Sequence, residues 1–212
     1  MIMNRNTTVG LCLILLGISL MAMVSHFRCN KEELGFTEQE LALIRNSASG
    51  IMRVLTIEDS LDTQTLRATS TDLLHEALLS DEYATLCSLM VATVTHPSQD
   101  GVGIAGPQVG LNRKIVAVQR FDKEGEPFEV YPNIDIIWAS DSLTAGPEGC
   151  LSVPGRRGEV LRSQEIVIEY TVLPTSHKEE FVTKRDTVSG FTAVIFQHEI
   201  DHLKGNLYID RL

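Results

Sequence analysis

Positive charge and cysteine are both scarce in this chain, and each scarcity closes off a class of function. Eighteen Lys and Arg face twenty-eight Asp and Glu, a net charge of −10, and no long basic run offsets it. Nucleic acid is therefore not an expected partner, because phosphate binding relies on clustered Lys and Arg. Four cysteines (Cys12, Cys29, Cys87 and Cys150) are too few and too scattered for a disulfide framework, so each is judged by its own surroundings. Internal repeats and low-complexity tracts are missing as well. With 43 % apolar and 22 % charged residues over 212 positions, the composition is that of one ordinary domain with a buried core.

Long apolar runs are absent with one exception at the start. The segment from Val9 to Val24 is apolar apart from Ser19, and no Asp, Glu, Lys or Arg occurs from Asn6 to Phe27. Its length falls between a signal-peptide core and the roughly twenty residues that span a bilayer. Residues 1–28 are accordingly expected to be a signal peptide or membrane anchor, with membrane attachment through residues 9–24. Cys29, followed by an acidic pair, is a candidate lipidation site, although Arg28 before it departs from the small residue such processing wants. Residues 29–50 are then expected to form a linker with a short helix, and residues 51–212 a catalytic domain.

Local patterns place the elements of that domain. Thr37 and Glu40 have the spacing of a capping box and start a helix over Thr37–Arg45. Ile51–Ile57 has the composition of a strand. Apolar residues at helical spacing run from Thr71 to Thr95, broken near Ser80 and Asp81, as one long helix or two in tandem. A Gly-rich loop follows at Asp100–Gly110, then strands over 114–121, 128–131, 134–139, 165–173 and 180–188. Phe191–Leu203 returns to helical period, with Gly205 placed as its stop. The expected class is α+β, with mixed or antiparallel strands packed around a C-terminal helix.

That last helix carries the most informative residues. His198, Glu199, Ile200, Asp201 and His202 read H-E-x-x-H, and positions four apart lie on one helical face. Both imidazoles can then reach one metal ion, with Glu199 one step round as a base. Phe191, Ile195, His198 and His202 fall on one side, expected to face the core. A third protein ligand is needed, and no His follows His202, so it is sought upstream. Cys150, in the turn-like EGCLSVPG, is the leading candidate, although a lone cysteine is more often a small core residue. His75, His96 and His177 have no spaced partner and read as surface or loop residues.

Three segments, GVGIAGPQ (Gly101–Gln108), EGCLS (Glu148–Ser152) and HEIDH (His198–His202), resemble in order and spacing the signature motifs of the peptide deformylases. The resemblance covers about residues 51–212. It implies one divalent metal ion, natively Fe(II) with Zn, Ni or Co as replacements, held by Cys150, His198 and His202. It implies Glu199 as the base that takes a proton from the attacking water and passes it to the leaving amine. Gln108 and the Leu151 N–H would stabilise charge on the carbonyl oxygen. Gly101, Gly103 and Ile104 would pair with substrate as an added strand, while Val194 and Ile195 would wall a methionine pocket. Arg157 would lie near the peptide's path, and Asp201 would pair with Arg162 behind the metal.

The implied activity is removal of the formyl group from the N-terminal methionine of peptides or nascent proteins, with release of formate. Gly106 departs from the alanine more common in bacterial members, and the apolar start departs from a function expected in the cytoplasm. Two alternatives follow from that start: an envelope-located metal-dependent amidase acting on another N-acylated peptide, or a membrane-attached binding module of the same fold without catalysis.

Overall fold

The computed structural model describes residues 35–47, 50–174 and 180–212. Helices α1 (Glu38–Arg45), α2 (Ser60–Leu66), α3 (His75–Leu78) and α4 (Asp81–Val94) precede strands β1 (Gly103–Ala105), β2 (Ile115–Gln119), β3 (Phe128–Pro132) and β4 (Asp135–Ala139). A long hairpin, β5 (Leu143–Cys150) and β6 (Val153–Ser163), leads to β7 (Glu165–Val172), β8 (Val182–Ser189) and the last α-helix, α5 (Gly190–Leu203). Among the described residues these strands pair antiparallel, in the orders β1-β2-β3, β4-β7-β8 and β5-β6, and one isolated parallel bridge joins Thr71 to Arg113. The α+β class expected from the sequence is the one observed.

The sheet β1-β2-β3 separates two apolar layers, and alternation along β2 assigns its residues. Ile115 and Ala117 pack with α4 residues Leu86, Met90 and Val94, whereas Val116 and Val118 pack with α5 residues Ala193, Phe196 and Ile200. Burial on both faces explains why β2 reads as a continuous apolar run. In β7, Ile166 and Ile168 turn the predicted inward face toward α5. Helix α5 is thus held between two sheets, which fixes the rotation of its histidines.

Several local expectations hold. The Thr37 hydroxyl accepts from the Glu40 N–H at 3.2 Å, and the Glu40 carboxylate accepts from the Thr37 N–H at 2.7 Å. The apolar stretch 71–95 is two helices in tandem, with the Ser80 hydroxyl capping α4 by accepting from the Tyr83 N–H. Gly205 follows α5 at φ +73°, a left-handed stop where a Cβ would collide with the Arg67 carbonyl. Cys87 lies half-buried against the α4 core layer.

Others are corrected. Residues 51–57 do not form a strand, because their backbone groups bond to three separate segments rather than along one ladder. Met52 N–H donates to the Thr93 hydroxyl, Leu55 N–H to the Gln108 carbonyl and Ile57 N–H to the Ser152 carbonyl. Phe191 is 58 % exposed in the first turn of α5, resting on Phe121 rather than in the core. Within the segment expected as a linker, Phe36, Leu41 and Ile44 are buried in the same cluster as α4. Of the histidines without spaced partners, His75 stacks on Phe181 at 3.9 Å, and His177 lies outside the described residues. So do Cys12, Cys29 and residues 9–24. Among the described residues no helix is long and apolar enough to cross a membrane.

Candidate metal centre

The hairpin β5-β6 was not foreseen because it lacks an apolar alternation. Its inward positions carry Glu148 and Arg162, both buried, so charge stands where a strand pattern expects hydrocarbon. The β5-β6 register shifts between Gly149 and Cys150, and this irregularity ends β5 on the cysteine. It delivers the Cys150 thiol to α5. Sγ lies 3.2 Å from His202 Nε2, and the ligand atoms of Cys150, His198 and His202 all lie within 4.8 Å of one another.

One of the two imidazoles, His198, is oriented from behind. His198 Nδ1 sits 2.8 Å from the Glu148 carboxylate, which assigns its proton to Nδ1 and leaves Nε2 for the cluster. Glu148 in turn accepts two bonds from Arg162, at 2.7 and 2.9 Å. Arg162 also donates to Asp201 at 2.5 Å, and Asp201 accepts two bonds from Arg211 at 2.6 Å each. The expected pairing of Asp201 with Arg162 is therefore present. Glu148 and Arg211 were not anticipated as part of it. The need of a buried imidazole N–H for an acceptor, together with Glu148 opening the EGCLS motif, was the available signal.

The electrostatics of the cluster ask for a cation. Burial alone would depress His198, but the Cys150 sulfur and the Glu148 carboxylate overcome it and raise His198 to about 10. Burial and the neighbouring His198 charge lower His202 well below its ordinary value. Burial pushes Glu199 up to about 7, with Glu148 adding to the rise and His198 opposing it. Glu148 goes the other way, to about 2, because the Arg162 and His198 bonds outweigh its burial. Glu199 Oε2 and His202 Nδ1 are buried without a hydrogen-bond partner. One thiolate, two imidazoles and an unpartnered carboxylate beside them fit a borderline-soft divalent ion of the Zn or Fe type better than Mg or Ca.

A cleft of about 750 Å³ opens onto the cluster. Its lining includes Cys150, His198, Glu199, Gln108, Leu151, Gly101, Gly103, Val194, Ile195 and Arg157, which the three motifs and their neighbours supplied. Ile104 differs: its side chain is fully buried in the α4 layer and stays out of the cleft. Arg162 and Asp201 lie behind α5 rather than in the cleft. His202, 1 % exposed, does not line the cleft and adjoins it through the Cys150 sulfur. Gln108 is locked, since the Ala105 N–H donates to its Oε1 at 2.9 Å and turns the amide nitrogen toward Ser152 and Cys150, at 3.2 and 3.5 Å. Gly103 is required by contact: a Cβ there would stand 2.5 Å from Glu199 Oε1 and 2.8 Å from Ile195 Cγ2.

Strand β1 has β2 on one side only. The Gln119 N–H donates to the Val102 carbonyl, so by strand alternation the Gly103 N–H and C=O point to the other edge, into the cleft.

Comparison with known proteins agrees with this site. The polypeptide deformylase family model matches residues 51–212. Peptide deformylase from Leptospira biflexa is 35 % identical over 154 residues, covering 69 % of this chain and 82 % of that protein. Peptide deformylase 1 of Vibrio vulnificus is 40 % identical over 117 residues, covering 55 % and 65 % respectively. Among solved structures, the Met-Ala-Ser-bound class I type b peptide deformylase of Acinetobacter baumannii superposes with a TM-score of 0.64 at 30 % identity, over 76 % of this chain and 98 % of that one. The Thermotoga maritima peptide deformylase gives 0.63 at 28 %, over 76 % and 97 %. With the family match spanning the domain that holds the thiol, both imidazoles and the buried carboxylate, the chain belongs to the peptide deformylases and is a metal-dependent enzyme.

Proposed function

We propose that this protein hydrolyses the formyl group from the N-terminal methionine of peptides and nascent proteins, releasing formate. The observation that carries the proposal is the convergence of Cys150, His198 and His202 within 4.8 Å beside the unpartnered carboxylate of Glu199, with Cys150, His198 and Glu199 lining an open cleft. A Met-Ala-Ser peptide bound to the Acinetobacter relative supports a peptide as the substrate class. A divalent ion held by Cys150, His198 and His202, Fe(II) by family resemblance, supplies Lewis acidity that activates water at neutral pH.

The chain's own residues account for the remaining requirements. Glu199, raised to about 7 by burial, is poised to take a proton from the attacking water and return it to the leaving amine. With a cation held by Cys150, His198 and His202 beside it, Glu199 would ionise more readily and be available as a base near neutrality. Gln108, fixed through its Oε1, offers an amide hydrogen to the charge that develops on the formyl oxygen, and the Leu151 N–H is the second donor. Val194 and Ile195, one helical turn before His198 and Glu199, present an apolar wall suited to an unbranched methionine side chain. Gly103, with its N–H and C=O on the open edge of β1, pairs with the peptide backbone as an added strand.

Formate release from formyl-Met-Ala-Ser, measured on the metal-loaded protein, tests the proposal. Glu199→Ala should lower turnover by roughly 10²- to 10⁴-fold with metal content retained. A metal-loaded wild type that releases no formate would refute it. The apolar run at residues 9–24 favours one second reading, an amidase acting on another N-acylated peptide at the envelope. Acetyl-Met peptides cleaved better than formyl-Met peptides, by a protein found in the membrane fraction, would establish that reading instead.

A further inference from the structure

Among the described residues, every lysine and arginine except Arg156, Arg157 and Lys184 lies within ion-pair distance of a carboxylate. In a chain of net charge −10, an unpaired guanidinium is therefore unusual, and two of the three exceptions are adjacent in sequence and line the same cleft. Both are exposed. Neighbouring like charges repel, and the surplus of acids elsewhere could have neutralised them. The acids in the cleft are already placed: Glu148 is committed to Arg162 and His198, and Glu199 faces the ligand cluster. Asp100, also in the lining, is one charge against two.

Position along the cleft identifies what the pair would meet. Arg157 lies across the hairpin from Gly149, the residue before Cys150. A Cβ on Gly149 would sit 3.6 Å from Arg157 Cγ and 3.8 Å from its Nε, so the side chain runs along the hairpin beside the cysteine. A peptide paired with the edge of β1 advances about 3.3 Å per residue. With the formyl-methionine at the cluster, its next two residues travel outward past this part of the hairpin.

We infer that Arg156 and Arg157 form an anion subsite that selects peptides with an acidic side chain at the second or third residue. The inference rests on the deformylase reading for the direction of the peptide. It adds a substrate class to it, formyl-methionine followed by Asp or Glu. Long, solvent-facing guanidiniums act here through charge, so the preference falls on binding and is weakened by salt.

The test uses the metal-loaded full chain and two measurements. Calorimetry compares the product peptides Met-Asp-Ala with Met-Asn-Ala, and Met-Ala-Asp with Met-Ala-Asn, all with amidated C-termini. Formate release compares the formylated versions of the same peptides. We expect the acidic peptide of at least one pair to bind about three- to tenfold tighter at low salt, with the difference in KM rather than kcat and shrinking near 0.5 M salt. Arg156→Ala should remove most of that preference, and Arg156→Lys should keep part of it. Equal binding of acidic and neutral peptides by the wild type overturns the inference, as does a preference that survives the Arg156→Ala, Arg157→Ala double variant. Tighter binding of acidic peptides without formate from any substrate sinks the deformylase reading and leaves the subsite standing. Formate released equally from both members of each pair, with equal binding, does the reverse.

Discussion

Two arginines of this protein are buried to nearly the same degree, Arg120 at 2 % exposure and Arg162 at 3 %, yet their surroundings differ in kind. Arg120 follows β2 and closes on itself. It donates to both oxygens of Asp122, to the Tyr131 hydroxyl and to Asp186, and its guanidinium lies 5.7 Å from the Phe196 ring centre. Its nearest partners carry no buried atom left unpaired. Arg162 belongs to a line that does not close: Arg211, Asp201, Arg162, Glu148, then His198. Beyond His198 stand the Cys150 thiol, His202 and the unpartnered Glu199 oxygen. A buried charge whose network is complete stabilises a fold. One whose network terminates in orphaned donors and acceptors marks the place where the molecule expects another species.

That contrast breaks most visibly at the cluster itself. His202→Ala should abolish bound metal and formate release together, whereas Asp186→Ala, on the closed network, should leave both in place and only lower the midpoint of thermal unfolding. Metal analysis beside a formate assay decides it. Next in size, Gln108→Ala should reduce kcat by about 10²- to 10³-fold with metal retained, since one donor to the developing oxyanion is lost. A rise in KM with kcat unchanged would place Gln108 outside the chemical step.

Replacing each arginine in turn sharpens the comparison. Arg162→Met strands the buried carboxylates of Glu148 and Asp201 and should destabilise the fold by roughly 3–5 kcal/mol, whereas Arg120→Met, whose partners Asp122 and Asp186 are partly exposed, should destabilise it by less. Only Arg162→Met should also weaken metal affinity, by about 10- to 100-fold, because Glu148 then loses its hold on the His198 ring. Chelator competition measures that difference, and equal metal affinity in the two variants would erase the distinction drawn here.

The smallest effect is a matter of sign with pH. Glu199 is raised in the folded state from 4.5 to about 7, so its contribution to stability is full below about 4.5 and is lost as pH rises through 7. Metal-free Glu199→Gln should therefore be more stable than the wild type at pH 8, by on the order of 3 kcal/mol, with the advantage vanishing below pH 4.5. Glu148, depressed to about 2, has the opposite sign: its contribution is full above 4.5 and is lost as pH falls toward 2. Urea titrations of the metal-free protein across pH 3–8 read both slopes.

Legibility in the sequence followed how local each determinant is. The α1 capping box, the Ile166–Ile168 alternation and the i, i+4 histidines were all readable, because each depends on residues within a few positions of one another. Residues 51–57 misled because β-branched and apolar composition suits any extended buried segment, and only its partners decide whether a ladder forms. The β5-β6 hairpin was invisible because Glu148 and Arg162 occupy buried positions that hydrophobic periodicity reserves for hydrocarbon. Phe191 satisfied the helical face on paper, but the first turn of α5 lies on the cleft rim, beyond the sheet that covers the rest of that helix.

By itself the sequence determined the family through three motifs and their order, the helical face that presents both histidines, and the acidic balance that argues against nucleic acid. Only the tertiary structure decided that Glu148 holds His198, that Arg211 completes the line behind Asp201, that Ile104 turns away from the cleft, and that Arg156 and Arg157 stand unpaired along it. The reason is one of range: a helix repeats every 3.6 residues and a strand every two, so chemistry within an element is written locally. Charges buried fifty residues apart meet only when the hairpin and the last helix pack against each other.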